Sequence, residues 1–515
     1  MVKVDSGKVW IVDFGSQYTQ LIARRIRELS VYSEIVLPQD ITPPDLTANR
    51  VTALVLSGGP SSVYESQAPD IDPDIFQPGI PVLGICYGLQ LMAKHFGARV
   101  HSDNHREYGR SRIHLKRDSA LFDKVTEGTT VWMSHGDHVD SIPAGFEVIA
   151  LSENNAPAAL EHREKPLFGL QFHPEVKHTE KGEQILANFL FRIARLKPDW
   201  TPEHFIRQTT AQIRQQVGSG KVLMALSGGV DSSVMGMLIY RAIGTQCVPV
   251  FINSGVLRKN EPFEVIRKLK KMGLPIRKYD YSRQFLTALK GIKHPERKRK
   301  IIGHQFIKAF EEIAGRYSDL SFLAQGTLYP DVIESRSVNG PSRVIKSHHN
   351  VGGLPARMQL RLIEPFNSLF KDEVRNIGRE LGLPEEILNR HPFPGPGLAV
   401  RIIGEVTAYR LAILRKADAI FIDELWKSAE YNRVWQAFAV LIPVKTVGVM
   451  GDQRTYENVI ALRAVNSSDG MTADWSPLPH AVLSRIANRV VNEVRGVNRV
   501  VYDITSKPPG TIEWE

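Results

Sequence analysis

Twice in this chain an apolar run breaks on glycine and re-emerges as a helix. Pro81 to Gln90 reads PVLGICYGLQ and continues into a helical run; from Val222 the chain reads VLMALSGGVDSSVMGMLIYRAIG. A near-continuous apolar strand is the pattern of a strand covered on both faces. Feeding it through a glycine turn into a helix makes the unit of a doubly wound sheet. Val9–Phe14, Ala53–Leu56, Val82–Ile85, Val131–Ser134 and Phe168–Phe172 read as strands and Tyr18–Leu29 as a helix, which predicts an α/β domain with a largely parallel or mixed sheet. Cys247–Ile252 and Phe322–Ala324 continue the second unit, predicting a second doubly wound α/β domain.

Prolines punctuate the chain between these units. LKPDWTP (Leu196–Pro202) reads as a linker. HPFPGPG (His391–Gly397) holds three prolines in seven residues, which no helix or central strand continues through. Beyond it, Thr446–Met450, Val459–Ala464 and Val500–Ile504 read as strands and His480–Val494 as a helix, an α+β pattern. The expected domains are 1–199, 200–392 and a smaller 393–515, and 515 residues at roughly 150 per domain agrees with three.

Composition narrows the function classes. At 43% hydrophobic and 23% charged the chain is not largely disordered. No run approaches the ~18 apolar residues of a membrane span, and Asp5 and Asp13 interrupt any signal-like start. Two cysteines, Cys86 and Cys247, exclude a disulfide scaffold and a CxxC zinc site, so a reducing cytoplasm is expected. The net charge of +10 suits a solvated surface, nucleic acid or anionic small molecules. Its densest part is KHPERKRK (Lys293–Lys300), with no accompanying RNA-binding motif or zinc finger, so no nucleic-acid partner is expected.

Chemistry concentrates at strand ends. Cys86 stands on the sharp turn between Gly84 and Gly88, the geometry of a nucleophile elbow, and the helix N-terminus behind it favours a thiolate. FHPE supplies a base: His173 ends an apolar strand and Glu175, two residues on, can orient it. SGGP after another strand offers backbone N–H groups at Gly58 and Gly59 for an oxyanion. A lone cysteine is by default a core thiol; three chemically apt strand ends together argue otherwise. His135, in SHGD, is either a substrate contact or a structural loop histidine.

The second turn, Ser227, Gly228, Gly229, Val230, Asp231, Ser232 and Ser233, combines mobile glycine backbone, hydroxyls and a helix N-terminus, the components of a phosphate cradle. It is not a Walker A loop, and GSGK at Gly218–Lys221 lacks that spacing. An aspartate beside phosphate implies Mg²⁺, with Asp331 of QGTLYPD as a second acid; a turn-forming aspartate after Pro330 is the plainer alternative. Lys346 of IKSHHN is either a phosphate contact or a surface lysine. Cys247 reads as core. The final KPPGTIEWE is stiff for a terminal tail, and Glu513 could accept from purine N–H groups, although a surface tail explains it equally.

GICYGLQ with FHPE and SGGP resembles the class I glutamine amidotransferases, over roughly 8–197. The resemblance implies Cys86 as nucleophile, His173 as general base and acid, Glu175 as orienter, and Tyr87 and Gln90 beside the oxyanion and glutamine. LSGGVDSS resembles the loop of the N-type ATP pyrophosphatases, which activate a carbonyl oxygen by adenylylation. NSGVLRKNE, KRKIIG, HPFPGPG, GDQRTYE and KPPGTIEWE resemble, in order, the glutamine-hydrolysing GMP synthases. Membership would imply a C–N ligase using glutamine, ATP–Mg²⁺ and xanthosine 5′-monophosphate (XMP), and no membrane. It would also imply XMP contacts at Arg299, Asp452, Lys507, Ile512 and Glu513, a C-terminal dimerisation domain and a homodimer. The basic cluster would then face nucleotide phosphates. A glutamine-dependent NAD synthetase and an RNA-modifying ATP pyrophosphatase are the alternatives. The former normally carries a nitrilase-type glutaminase without FHPE; the latter would need further catalytic cysteines.

Overall fold

In unit one, Met1–Gln208 by its internal contacts, nine strands form one sheet. They are β1 (Lys8–Val12), β2 (Ser33–Val36), β3 (Val51–Leu56), β4 (Val82–Ile85), β5 (Val100–Leu115), β6 (Thr130–Val139), β7 (Phe146–Ser152), β8 (Pro157–His162) and β9 (Leu167–Leu170). The computed structural model describes residues 7–317, 319–336, 360–450, 452–467 and 472–515, and Lys346 and Gly451 lie outside them. The sheet order is β2-β1-β3-β4-β9-β8-β7-β5-β6. Its first five strands are parallel and the rest antiparallel, the mixed sheet expected. The runs at Val9, Ala53, Val82 and Phe168 became buried strands of the parallel part, while Val131–Ser134 fell in the antiparallel β6. The β5–β6 ribbon escaped prediction in full length: β5 (VHSDNHREYGRSRIHL) is polar and held by pairing rather than by apolar periodicity.

Glycine is needed where the elbow helix Tyr87–His95 crosses the sheet. A Cβ at Gly88 would lie 2.3 Å from the Leu56 carbonyl oxygen, so only a bare backbone lets this helix seat on β3. Leu54, Leu56 and Val82 of the sheet are completely buried in one cluster with Leu89 and Leu91 of this helix. The expected linker is pinned rather than loose: Trp200 donates its backbone N–H to Ser30 O at 2.8 Å and its ring lies 4.6 Å from that of Tyr32.

Unit two, Thr209–Glu515, holds two sheets. The first contains β10 (Lys221–Ala225), β11 (Cys247–Asn253), β12 (Arg277–Asp280), β13 (Leu320–Ala324) and β14 (Arg361–Ile363), in the order β12-β11-β10-β13-β14, all parallel. Strand order reverses between β10 and β13, and ligands of open α/β sheets bind at that crevice. The second sheet contains β15 (Gln436–Met450), β16 (Gln453–Asn466), β17 (Asp474–Trp475) and β18 (Val497–Tyr502). β16 pairs antiparallel with β15 and parallel with β18. The helix His480–Glu493 makes the crossover that a parallel pair requires. One apolar cluster runs through both sheets, from Leu223 and Val250 through Leu414 and Phe421 of helix Ala408–Lys427 to Ala439 and Ile460. The proline-rich run at 391–397 therefore crosses a shared core.

His391, at the head of that run, is buried and locked in one tautomer. Its Nδ1 accepts from Ala437 N–H at 3.2 Å, which leaves Nε2 to donate to Tyr431 O at 2.9 Å. Burial and the Arg258 charge push it down to about 4. A histidine depressed below its unfolded value of about 6.5 adds stability above pH 6.5 and loses it as pH falls toward 4. The loss is on the order of 3 kcal/mol if fully expressed. Urea unfolding followed between pH 7 and pH 4 should show a shallower decline for His391→Gln than for the parent chain.

Candidate active site

Cys86 caps the N-terminus of helix Tyr87–His95 in a backbone conformation foreign to L-residues, φ 52° and ψ −106°. Strain of this kind persists only where neighbours over-determine it. Here Cys86 N–H donates to Leu170 O at 2.7 Å, Gly88 N–H to Ser57 O at 3.0 Å and Gln90 N–H to Cys86 O at 3.1 Å. A Cβ at Gly84 would meet the Gly88 backbone at 2.7 Å, so the turn tolerates no bulk on either side of the cysteine. The sulfur points between strand ends: Sγ lies 3.8 Å from Ser134 O and 3.8 Å from Gln171 Nε2.

His173 and Glu175 meet at this sulfur, as expected. His173 Nδ1 is 2.7 Å from Glu175 Oε1, with both side chains buried. The Cys86 thiol is the imidazole's other polar partner. Burial opposes a charged imidazole, but the Glu175 carboxylate and the Cys86 sulfur outweigh it and push His173 up to about 10. The Tyr18 ring stands edge-on to His173 at 5.2 Å and Thr179 Oγ1 donates to His173 O at 2.6 Å, so both ring and backbone are braced. The SGGP loop closes over the pair. A Cβ at Gly58 would come 3.2 Å from His173 Cε1 and 3.8 Å from Cys86 Cβ, so its backbone borders the reacting atoms. Tyr87, at the first helical position, has no intrahelical acceptor for its N–H, while its hydroxyl donates to Pro69 O at 2.5 Å. The Gln90 side chain is turned to protein: Nε2 donates to Asp137 O at 2.8 Å and lies 3.4 Å from Gln171 Oε1. His135 proves to be held inside, its Nδ1 3.0 Å from Asp137 O and its Nε2 3.4 Å from Glu107 Oε2. The adjacent His135 imidazole, with hydrogen bonds from Asn154 and Ser152, holds the Glu107 carboxyl down to about 2.

Glu175→Gln keeps the side chain's shape but removes the anion that holds His173 charged. Glutamine hydrolysis should fall roughly 10²- to 10⁴-fold, the range for losing general acid–base support. The pH profile of the residual activity should move to lower pH, because the imidazolium then loses its proton earlier. A pH-rate series on free glutamine checks both.

In unit two, the Ser227–Ser233 loop lies at the switch point. Gly228 has φ 78°, and Gly229 caps helix Val230–Ile243. The hydroxyls knit the turn: Ser227 Oγ is 3.0 Å from Ser232 Oγ and accepts from Gly229 N–H at 3.3 Å. Asp231 Oδ1 and Ser233 Oγ are buried with no hydrogen-bond partner among the described residues. Lys371 Nζ lies 3.8 Å from Asp231 Oδ2. The loop after β13 borders the same place, for a Cβ at Gly326 would lie 3.7 Å from Asp231 Cβ. Asp331 accepts from Leu328 N–H at 3.1 Å through Oδ2, the turn-capping role weighed for it from sequence. Among the described residues no three His, Cys, Asp or Glu side chains cluster as a ready cage. The orphaned Asp231 oxygen suits a hard cation carried in with phosphates, since Mg²⁺ is held by one or two carboxylates plus substrate oxygens. Cys247 is core: burial alone pushes its thiol up to about 12.

The tail is not a solvated terminus. Arg401, fully buried, holds Glu513 by a fork, Nε to Oε2 at 3.0 Å and Nη2 to Oε1 at 2.8 Å, with Gln436 Nε2 adding 2.9 Å. Arg463 gathers the carbonyls of Thr505, Thr511 and Ile512 at 2.9–3.0 Å. Ile512 packs on Phe438, Val440 and Ala461. The basic cluster departs from its expected role. Lys298 is buried and binds Glu515 together with Ala399 O (3.1 Å) and Ile402 O (2.7 Å), while Arg299 donates to Glu515 O. Helical periodicity turned part of the run inward. The described contacts thus gather Arg299, Ile512 and Glu513 around the docked tail. Lys507 pairs with Ala473 through the backbone, and Asp452 sits exposed on the β15–β16 turn at φ 58°, with no described contact to the other four.

Comparison with known proteins follows these divisions. The model of the class-I glutamine amidotransferases matches residues 10–193, and that of the GMP synthase C-terminal domain matches 423–514. The glutamine-hydrolyzing GMP synthase of Chlorobium chlorochromatii is 58% identical over 513 residues, spanning 98% of this chain and 99% of that protein. The chain belongs to the glutamine-hydrolysing GMP synthase family. The same-named proteins of Chlorobaculum tepidum and Aquifex aeolicus are 56% and 55% identical, again over 98% of this chain and 99% of theirs. Of the residues that border these site groups, Gln171, Glu107, Arg401, Gln436 and Arg463 were not singled out from the sequence, and Ser134 only as a strand end. None sits in a glycine- or proline-marked turn. Gln171, between Leu170 and the FHPE run, was the one with a positional signal.

Proposed function

We propose that this chain converts XMP, glutamine and ATP to GMP, glutamate, AMP and pyrophosphate. The observation that carries the reading is the coexistence of a strained Cys86 against a His173–Glu175 pair with an SGGVDSS phosphate loop. Both lie in a chain matched end to end by glutamine-hydrolyzing GMP synthases. The protein is a glutamine-dependent ligase that uses ATP. We further propose three segments, a glutaminase over 1–199, an adenylylating segment over 200–392 and a dimerising, XMP-binding segment over 393–515, working in the cytoplasm as a homodimer.

At the first site the Cys86 thiolate attacks the glutamine carboxamide. Backbone N–H groups at Gly58, Gly59 and Tyr87 face the oxyanion. His173, held charged by Glu175, gives its proton to the departing ammonia and then draws one from the water that hydrolyses the glutamyl thioester. At the second site, Ser227–Ser233 presents N–H and hydroxyl groups to the β,γ-phosphates. Mg²⁺, when bound, would neutralise phosphate charge, with Asp231 as its first protein ligand and Asp331 as a second. XMP O2 attacks the α-phosphorus and pyrophosphate leaves. Ammonia then adds at C2 and AMP departs with the former O2. Adenylylation is required because oxide is a poor leaving group and AMP a good one.

The test is direct. Purified protein with XMP, ATP, Mg²⁺ and glutamine should yield GMP and pyrophosphate in equal amounts, and deamido-NAD in place of XMP should yield nothing. No AMP release from XMP with ammonium and Mg²⁺ would sink the reading.

A further inference from the structure

The phosphate loop is tied to the tail-bearing half of unit two by a chain of charged side chains. Gly228 makes the bend at φ 78°, and its carbonyl accepts from Arg390 Nη1 at 2.8 Å. A Cβ at Gly228 would lie 2.4 Å from Val265 and 3.1 Å from that same guanidinium, so the arginine packs against the bend itself. The other arm of Arg390 pairs with buried Glu261. The second Glu261 oxygen, Oε2, accepts from Arg258 N–H at 2.7 Å. The Arg258 side chain then reaches Ala437 O at 3.1 Å and lies 3.1 Å from Asp418, which in turn accepts from Ala439 N–H at 3.1 Å. The Phe393 ring lies between two guanidinium groups, 5.3 Å from that of Arg258 and 5.2 Å from that of Arg401, the residue that holds Glu513.

We propose that Arg390 and Glu261 are positioning residues for the ATP-cleaving step: they fix the Gly228 carbonyl inward so that the N–H groups of the loop face the phosphates. A peptide that points its carbonyl one way points its N–H the other. Holding the Gly228 oxygen with one arm of the guanidinium fixes the Gly228–Gly229 peptide, whose N–H lies 3.3 Å from Ser227 Oγ, and so fixes the turn from which the following N–H groups at the helix start face outward. Lysine cannot do this, because one ammonium cannot serve a carbonyl and a carboxylate in the same planar geometry. The ion pair also answers a physical need. Glu261 is buried, and a buried carboxylate without a cation is costly. The inference rests on the ATP-loop reading above.

Three variants, assayed for ammonium-supported AMP release, separate the two ideas. Ser232→Ala tests the loop itself and should raise KM for ATP several-fold. Arg390→Lys and Arg390→Met should each raise KM for ATP at least tenfold, leaving kcat within about threefold and the KM for glutamine in the glutaminase reaction unchanged. Glu261→Gln combined with Arg390→Lys should raise KM no more than Arg390→Lys alone, because both remove one linkage. An unchanged KM for ATP in Arg390→Lys, with Ser232→Ala impaired, overturns the positioning role and leaves the loop reading standing. An unchanged KM in Ser232→Ala overturns the loop reading first. A fall in melting temperature with no change in KM marks Arg390 as merely structural and likewise overturns the proposal.

Discussion

Cys86→Ala should abolish glutamine-supported GMP formation, by a factor on the order of 10⁴ or more, while ammonium-supported formation stays within about twofold of the parent. The asymmetry follows from where the sulfur sits. In the proposed mechanism it is the nucleophile of a site built within 1–208, on the turn between β4 and its helix, with His173 and Glu175 from the segment after β9. The ATP loop lies in the other unit and makes no use of it. Alanine also relieves nothing that the fold depends on, because the strained φ of 52° is set by backbone bonds from Cys86 N–H and Gly88 N–H rather than by the thiol. Stopped assays with glutamine and with ammonium chloride as alternative nitrogen donors read the ratio. Equal loss with both donors would refute the division of labour between the two sites.

Arg401→Met should release the tail. Methionine fills much of the same volume between Phe438 and Phe393, but it leaves the Glu513 carboxylate with only Gln436. Breaking a buried pair by removing one partner costs roughly 3–5 kcal/mol. The fold can avoid that penalty by lifting 511–515 into water, at the expense of the Ile512 and Lys298 contacts. The Trp514 indole, already partly exposed and bonded to Asp503 at 2.9 Å, would then lose that partner and its remaining shelter. The expected results are red-shifted tryptophan emission, faster proteolysis after residue 505 and a KM for XMP raised at least tenfold, with glutamine hydrolysis retained. An unshifted emission spectrum with unchanged KM would show that the Arg401 fork does not hold the tail.

The parts of the fold legible in the sequence were those marked by backbone necessity. The central parallel strands β1, β3, β4, β9, β10 and β11 announced themselves as apolar runs because they are buried, whereas the parallel edge strands β2, β12 and β14 are not and went unread. The two strand-to-helix turns announced themselves through glycines that the packing cannot replace, as Gly88 against Leu56 shows. Cys86, His173 and Glu175 were found for the same reason: each stands at a punctuated strand end. β5, rich in polar residues, carried no such mark, and of β6 only Val131–Ser134 did. KHPERKRK was readable as charge but not as direction. Only the packing of helix Pro295–Ala314 turns Lys298 into the interior, where burial pushes its ammonium down and Glu515 meets it.

By itself the sequence determined the α/β and α+β classes and marked Cys86, His173, Glu175 and the SGGVDSS turn as candidate chemical groups. These depend on short stretches whose chemistry and backbone geometry are local. Tertiary structure alone decided that the proline-rich run crosses a continuous core, that the last residues are clamped by Arg401, Arg463 and Lys298, and that Arg390 grips the phosphate loop. Those contacts join residues more than a hundred positions apart in several cases, and an arginine's reach leaves no periodic trace in the chain that carries it.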